Sequence, residues 1–447
     1  MATRQHLLNH LLNHRYLGNA VLLLLSVWAM ASEAAELTVI KPEKAGVSSE
    51  RLQRLVTLAD AYVDSGKLAG MVLMVNRGGK MVYSKATGTR SVDDVQPLKK
   101  DDLFRIYSMT KPITAVAAMQ LYEAGHFHLS DPITKWLPEL ADLKVMQADG
   151  SLVATKTPIT MHHLLTHTAG FSYGFDPRDA VDQAYRAAGL WGAEDLSEFA
   201  EKIATLPLKY HPGEQWHYSI AVDLTGLIVE RMSGLSFDEY LHKNIFETLA
   251  MTDTFFQVPV DKLDRFLANH YWDRSSKQLK VIGSTVPGLG IDSSDDAMSN
   301  YHAVSLYSGG GGLVSTARDY MRFAEMLRAG GSLDGHRILG AKTLKFMTQN
   351  HLPATISASG SGENPLNNRF RGFGFGLGFG IILDPVSNQA IASRGAYMWG
   401  GAAGTIFWVD PEEDIVALAM IQLMGSPWAL REDFRVAVYQ ALIESYE

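Results

Sequence analysis

The sequence contains no cysteine. That excludes disulfides, thiolate metal sites and a cysteine nucleophile together, so any covalent catalysis must run through oxygen or nitrogen. Concentrated positive charge is missing too: 40 basic residues stand against 48 acidic ones, the formal net charge is -8, and no basic block is dense enough to neutralise a run of phosphates. Nucleic acid is therefore not an expected partner. Long apolar runs are absent beyond the N-terminal region, which leaves no later segment suited to span a bilayer. What is present reads as globular: 447 residues, 47% of them hydrophobic, are enough to bury a sizeable core.

The early apolar run, Ala20 to Ala29, follows Arg4 and Arg15 and precedes small residues, the layout of a secretory signal peptide. Ala29-Met30-Ala31 and Ser32-Glu33-Ala34 are both candidate cleavage sites. The run is shorter than the roughly 20 residues of a spanning helix. We therefore expect a signal peptide over 1–34, a periplasmic or secreted mature chain, and no stable membrane anchor after cleavage.

Leu52, Leu55, Val56, Ala59, Tyr62 and Val63 follow the spacing of an amphipathic helix. Two strand-like runs, Met71 to Asn76 and Lys80 to Lys85, flank Arg77-Gly78-Gly79, a hairpin signal. From about Thr110 to Met298 the pattern is mostly helical, broken by turns such as His211-Pro212-Gly213 and the cluster at 285–290. Strand character returns with Phe373, Phe375, Leu377 and Phe379 alternating with glycines, then at Thr405 to Val409 and Ile415 to Ile421. A closing helix is expected over Trp428 to Tyr446. Strands at both ends with helices between predict one antiparallel sheet assembled from the two ends of the chain, with the chemistry in a cleft against the helical part. Segment 357–368, rich in serine, glycine and asparagine, reads as a surface loop.

Ser108-Met109-Thr110-Lys111 is the sole S-x-x-K of the chain, and it opens a helical run with Pro112 in the first turn. Three residues of spacing put hydroxyl and amine on one face, where the lysine can accept or hold the serine proton. Alone, the pattern is also that of an N-cap serine followed by a solvated lysine. Tyr218, just after Trp216, supplies a phenol that a nearby ammonium can help to shuttle a proton, although a tyrosine before an apolar helix is commonplace core material. Trp399-Gly400-Gly401-Ala402 leads into a strand, and paired glycines let a ligand approach main-chain N–H groups. The N–H groups of Ser108 and Ala402 are the candidate oxyanion hole.

In this order the three elements resemble the serine β-lactamase and penicillin-binding-protein superfamily, most closely its class C β-lactamase-like family VIII carboxylesterases. His163 to Gly170 and Gly309 to Ala317 are similar to further stretches of that family. The resemblance implies an α+β fold of β-lactamase/DD-peptidase type: an antiparallel sheet flanked by helices, with a second, mostly helical domain. It places an α/β domain at 36–107 plus 305–447 and a helical domain at 108–304. It makes Ser108 the nucleophile and Lys111 and Tyr218 its general-base partners, with Trp399, Gly400, Gly401 and Asp223 toward substrate, and it calls for no cofactor or metal. Two departures stand out. Ile220 occupies the position where class C β-lactamases carry asparagine, and Trp399 the position where they carry lysine, so a cation for a lactam carboxylate is missing. An aromatic wall favours neutral groups, so the expected substrate is a small carboxylic ester; β-lactamase, D-amino-acid amidase and acyltransferase chemistry are the alternatives on this scaffold, and a non-enzymatic sensor is the rival from another class.

Three other signals are discounted. Gly170-Phe171-Ser172-Tyr173-Gly174 matches G-x-S-x-G but lacks the strand and helix of a nucleophile elbow. His163 and His167 have zinc-helix spacing without its glutamate, which favours a structural histidine pair. Gly309 to Gly312 is followed by no lysine that would make it a phosphate loop.

Overall fold

The computed structural model describes residues 39–282, 301–358 and 371–445. The expected signal peptide, the 285–290 turn cluster and most of the 357–368 loop lie outside those residues.

Helix α1 (Ser49–Asp64) begins where the Ser48 side chain accepts the Arg51 N–H, and it buries Leu52, Leu55, Ala59 and Tyr62. Strands β1 (Gly70–Arg77) and β2 (Lys80–Gly88) form a hairpin turned by Gly78 and Gly79, both at positive φ. Helices α2 (Thr110–Glu123), α3 (Ala221–Ser233) and α4 (Ala317–Arg328) follow. The chain then returns to strands β3 (Phe373–Phe375), β4 (Gly380–Ile382), β5 (Tyr397–Gly400), β6 (Ile406–Asp410) and β7 (Ile415–Ile421), and closes with α5 (Leu430–Tyr439).

The seven strands form one sheet in the order β3-β4-β5-β6-β7-β1-β2, and every neighbouring pair is antiparallel. The two ends of the chain meet within this sheet, where Met71 pairs with Ile421 and Arg77 with Ile415. Alternation along β6 shows how the faces are used. Phe407 packs its ring 5.1 Å from Tyr320 of α4, while the next residue, Trp408, lies 5.0 Å from Phe434 of α5. Helices thus cover both faces, which is why β7 is apolar at every position. This is the α+β architecture expected from the sequence.

One expected strand became two. The alternating run 373–379 folds back as a hairpin, with the Gly376 N–H bonded to the Phe379 carbonyl at 2.8 Å and Gly378 at φ 88. A β-carbon on Gly378 would lie 2.4 Å from that of Ala115 in α2. The glycines mark a turn pressed against a helix, so the period-2 pattern was broken by close approach. The mostly helical middle likewise contains two short ribbons, Lys144–Met146 with Leu152–Ala154 and His270–Asp273 with Gln278–Val281.

Candidate active site

Tyr107–Met109 makes one 3-10 turn that runs directly into α2. Tyr107 stands at φ 44, a conformation disfavoured for residues other than glycine, and its hydroxyl accepts from Asn269 Nδ2 at 2.7 Å. The turn brings Ser108 partly out of a helix that is otherwise almost wholly buried. Lys111, one turn further on, is 1% exposed. Its Nζ donates to Ser108 Oγ at 3.2 Å, to the Tyr173 hydroxyl at 2.9 Å and to the Gly310 carbonyl at 2.7 Å. Those acceptors match the three N–H bonds of an ammonium. Tyr218, in the segment leading into α3, donates its hydroxyl to Ser108 Oγ at 2.7 Å. Lys111 meets Tyr218 through the ring, with Nζ 4.5 Å from its centroid. Hydroxyl, amine and phenol from two distant stretches of chain therefore converge at the start of α2.

Asp223 is placed otherwise than expected. It is 0% exposed and lies behind Lys111 instead of lining the cleft. Its carboxylate accepts from the Ser308 hydroxyl, from the Gly310 N–H at 2.9 Å and from the Tyr173 hydroxyl at 3.2 Å. An aspartate enclosed this way cannot touch substrate; it holds the groups that hold the lysine. Burial pushes its carboxyl above the usual range, partly countered by the Lys111 charge. Burial, reinforced by Asp223, pushes the Tyr173 phenol well up, so it remains a neutral link between Lys111 and Asp223. A β-carbon on Gly310 would sit 2.3 Å from Asp223 Oδ2 and 2.6 Å from the Tyr173 hydroxyl, which explains the glycine.

Tyr173 is the functional residue that sequence reasoning missed. It sits inside the G-x-S-x-G match, where attention fell on Ser172. That serine is 0% exposed and donates to Asp182 at 2.6 Å, so it is fixed within a loop. His163 and His167 do not share a helix, since the helix Met161–Leu165 ends between them. His163 caps that helix by accepting the Thr160 N–H, while His167, at φ 56, accepts the Ser219 N–H and lies 4.8 Å ring to ring from Tyr218. Burial, aided by the Lys111 charge, holds His167 well below the usual histidine range, so it stays neutral beside the site.

The wall opposite is β5. Strand β4 pairs only as far as Met398, so the edge of Trp399 and Gly400 on that side has no strand partner among the described residues. Trp399 points toward the site, its ring 5.5 Å from Tyr218 and 5.2 Å from Phe375. Gly400 turns its α-carbon to the opposite face, where a β-carbon would meet the Arg431 guanidinium at 2.8 Å. Gly401 passes so close to the chain entering Ser108 that a β-carbon would lie 2.4 Å from the Ile106 carbonyl. Exposed Ala402 follows in the turn. Neither its N–H nor that of Ser108 is bonded to another group among the described residues, leaving both amides available to an oxyanion.

The family model named Beta-lactamase matches residues 55–442. The chain belongs to the beta-lactamase family. Similar members include Esterase EstB of Burkholderia gladioli, 29% identical over 80% of this chain and 86% of that protein. Lovastatin esterase of Penicillium rubens is 30% identical over 86% of this chain and 97% of its own length. Among solved structures, EstCE1, described as a hydrolase with promiscuous acyltransferase activity, superposes with a TM-score of 0.74 at 25% identity, covering 87% of this chain and 99% of that one. These relatives support serine hydrolase or acyl-transfer chemistry on the β-lactamase fold.

Within that family the two departures read in the sequence have visible consequences. Ile220 is 0% exposed and packs in the core at the start of α3, so it offers no polar group to a substrate. The Trp399 position brings a ring to the cleft and no charge. Arg431 lies behind β5, donating to the Gly401 and Thr405 carbonyls.

Proposed function

We propose that this beta-lactamase family member is an exported carboxylesterase that cleaves small, uncharged esters through an acyl-serine intermediate. Ser108 Oγ attacks the ester carbonyl carbon while its proton passes to the Tyr218 oxygen, which serves as base once its own phenol proton has left. The carbonyl oxygen becomes an oxyanion, received by the Ser108 and Ala402 N–H groups. As the carbon–oxygen bond of the leaving group breaks, Tyr218 returns the proton to the departing alcohol. A water molecule then gives one proton to Tyr218 and attacks the acyl carbonyl carbon; as the bond from that carbon to Ser108 Oγ breaks, Tyr218 returns the proton to Oγ, and the acid leaves. Asp223, Tyr173 and Gly310 act through Lys111 by fixing where its charge stands.

The observation that carries this reading is the 2.7 Å contact of Tyr218 with Ser108, made beside a buried Lys111 whose acceptors are all assigned. The Trp399 wall supports esters over β-lactams, because an anionic lactam loses a charge-assisted contact of about 1.5 to 3 kcal/mol. Incubation with a fluorophosphonate followed by mass spectrometry should place one adduct on Ser108, and p-nitrophenyl butyrate should be turned over much faster than nitrocefin. Ser108→Ala should lose adduct and turnover together; a variant that still hydrolyses the ester at full rate would remove Ser108 from the mechanism. Acyl transfer differs only in the group that attacks the acyl-enzyme. The likeness to EstCE1 favours testing it with butanol as acceptor, where a butyl ester product would reveal transfer.

A further inference from the structure

The loop that carries Tyr173 is held more firmly than its position at the surface requires. Ser172 Oγ donates to Asp182 Oδ1 at 2.6 Å and accepts the Gly174 N–H at 3.0 Å. The second oxygen of Asp182, a residue only 2% exposed, takes the Asp176 N–H at 2.8 Å, and Lys209 Nζ closes on Oδ1 at 3.0 Å. Gly174 stands at φ 77, where a β-carbon would meet Arg186 Cγ at 2.8 Å and the Asp182 carbonyl at 2.9 Å. Main chain on both sides of residue 175 is thereby clamped.

Within this clamped loop one large apolar side chain faces solvent: Phe175, 70% exposed. Its ring stacks on Tyr173 with centroids 5.2 Å apart and planes 26° apart, and it lies nearly parallel to Tyr218, at 6.5 Å and 19°. Tyr173 in turn stacks on Trp191 at 6.1 Å and 19°. The two tyrosines touch the catalytic candidates, Tyr218 at Ser108 and Tyr173 at Lys111, so Phe175 stands one ring away from both. An apolar ring exposed at the tip of a polar loop forgoes burial, and here the fold orients it with buried hydrogen bonds.

We propose that Phe175 is a specificity-determining residue: together with Tyr173 it forms a platform for a flat, uncharged aromatic ring carried by the ester substrate. This rests on the esterase reading of the same site and adds the substrate class, aryl-bearing esters. A planar ring gains offset stacking on the solvent-facing side of Phe175, which Tyr173 backs from behind, whereas a flexible alkyl chain gains only contact area. The ring can be borne on either side of the scissile bond, so two probes separate the sources: ethyl phenylacetate carries it in the acyl group and benzyl acetate in the alcohol.

The test is kcat/KM for those two esters relative to ethyl butyrate, in the wild type and in Phe175→Leu and Phe175→Tyr variants. At least one aryl ester should be preferred over ethyl butyrate by the wild type. Phe175→Leu should lower that preference about fivefold, the scale of one aromatic stacking contact, chiefly through KM, and Phe175→Tyr should restore it. The ester that responds identifies the side on which the ring sits. An unchanged preference in Phe175→Leu, or no aryl preference in the wild type, overturns the platform while leaving the esterase standing. If the wild type turns over none of the three esters and gains no fluorophosphonate adduct, the esterase reading itself fails.

Discussion

At the scale of single residues, the site depends on groups that never touch substrate. Lys111 can point at Ser108 only because the Gly310 carbonyl and the Tyr173 hydroxyl take its other two protons, and both are positioned by Asp223. Gly310→Ala tests this directly, since the added methyl would lie 2.3 Å from a carboxylate oxygen that is itself enclosed. We expect kcat to fall by at least about tenfold, as misplacement of a reacting group by a fraction of an ångström does. The chain should remain folded by circular dichroism, and a Gly310→Ala enzyme with wild-type kcat would show that Asp223 and Tyr173 do not position the lysine.

At the scale of elements, the 172–182 loop is a small buried network around one carboxylate. Asp182→Ala leaves Lys209, 13% exposed at its side chain, with Asp179 as its remaining ion-pair partner and strips Ser172 and Asp176 of their acceptor. Breaking such a network from one side costs about 3 kcal/mol, because the surviving polar groups stay buried. The urea midpoint of Asp182→Ala should drop accordingly, and limited proteolysis should cut first near Phe175. A midpoint equal to that of the wild type would mean that the loop is not clamped as described. The hairpin of β3 and β4 makes a comparable point about packing: Gly378 is fixed by the approach of α2 and Gly376 by the Met347 and Gln349 carbonyls, and their spacing reproduces that of a strand.

At the scale of the whole molecule, stability should vary with pH in a definite direction. Burial lowers His162 and His217 to about 4 from an ordinary value of 6.5, so the fold favours their neutral forms. Their contribution is complete above pH 6.5 and is lost as pH falls toward 4, when the unfolded chain binds protons that the folded chain refuses. Asp319 opposes them: burial raises it to about 6 from 3.8, so its contribution is present below 3.8 and lost as pH rises through 6. Each proton changes stability by at most about 1.4 kcal/mol per pH unit, less for the partly exposed His162. Unfolding free energy measured between pH 4.5 and 7.5 should therefore decline on acidification below 6.5, and His217→Gln should flatten the decline. A steeper or unaltered slope in that variant would remove His217 from the account. The topology adds a second whole-chain constraint. Because β1 pairs with β7, this ladder closes only when residues near 70 and near 420 meet, a long-range pairing that carries a large loop-closure cost.

The sequence alone determined what local pattern and spacing can encode. A hydroxyl and an amine three residues apart at a helix entrance, strand periodicity at both ends of the chain, and a tryptophan followed by two glycines before a strand are legible without coordinates. Joined by the resemblance they carry to the serine β-lactamase superfamily, they were enough for the fold class and for Ser108, Lys111, Tyr218 and Trp399 to be named as a group. Only the tertiary structure decided that Tyr173 meets Lys111, that Asp223 is buried behind it, that Gly310 must lack a side chain, and that an exposed Phe175 stacks on Tyr173. Each of those facts joins residues 50 or more positions apart, or sets the outward face of an irregular loop. The physical reason is that helix and strand periods record which side of an element is buried, whereas the meeting of two elements at a polar point leaves no period in either one.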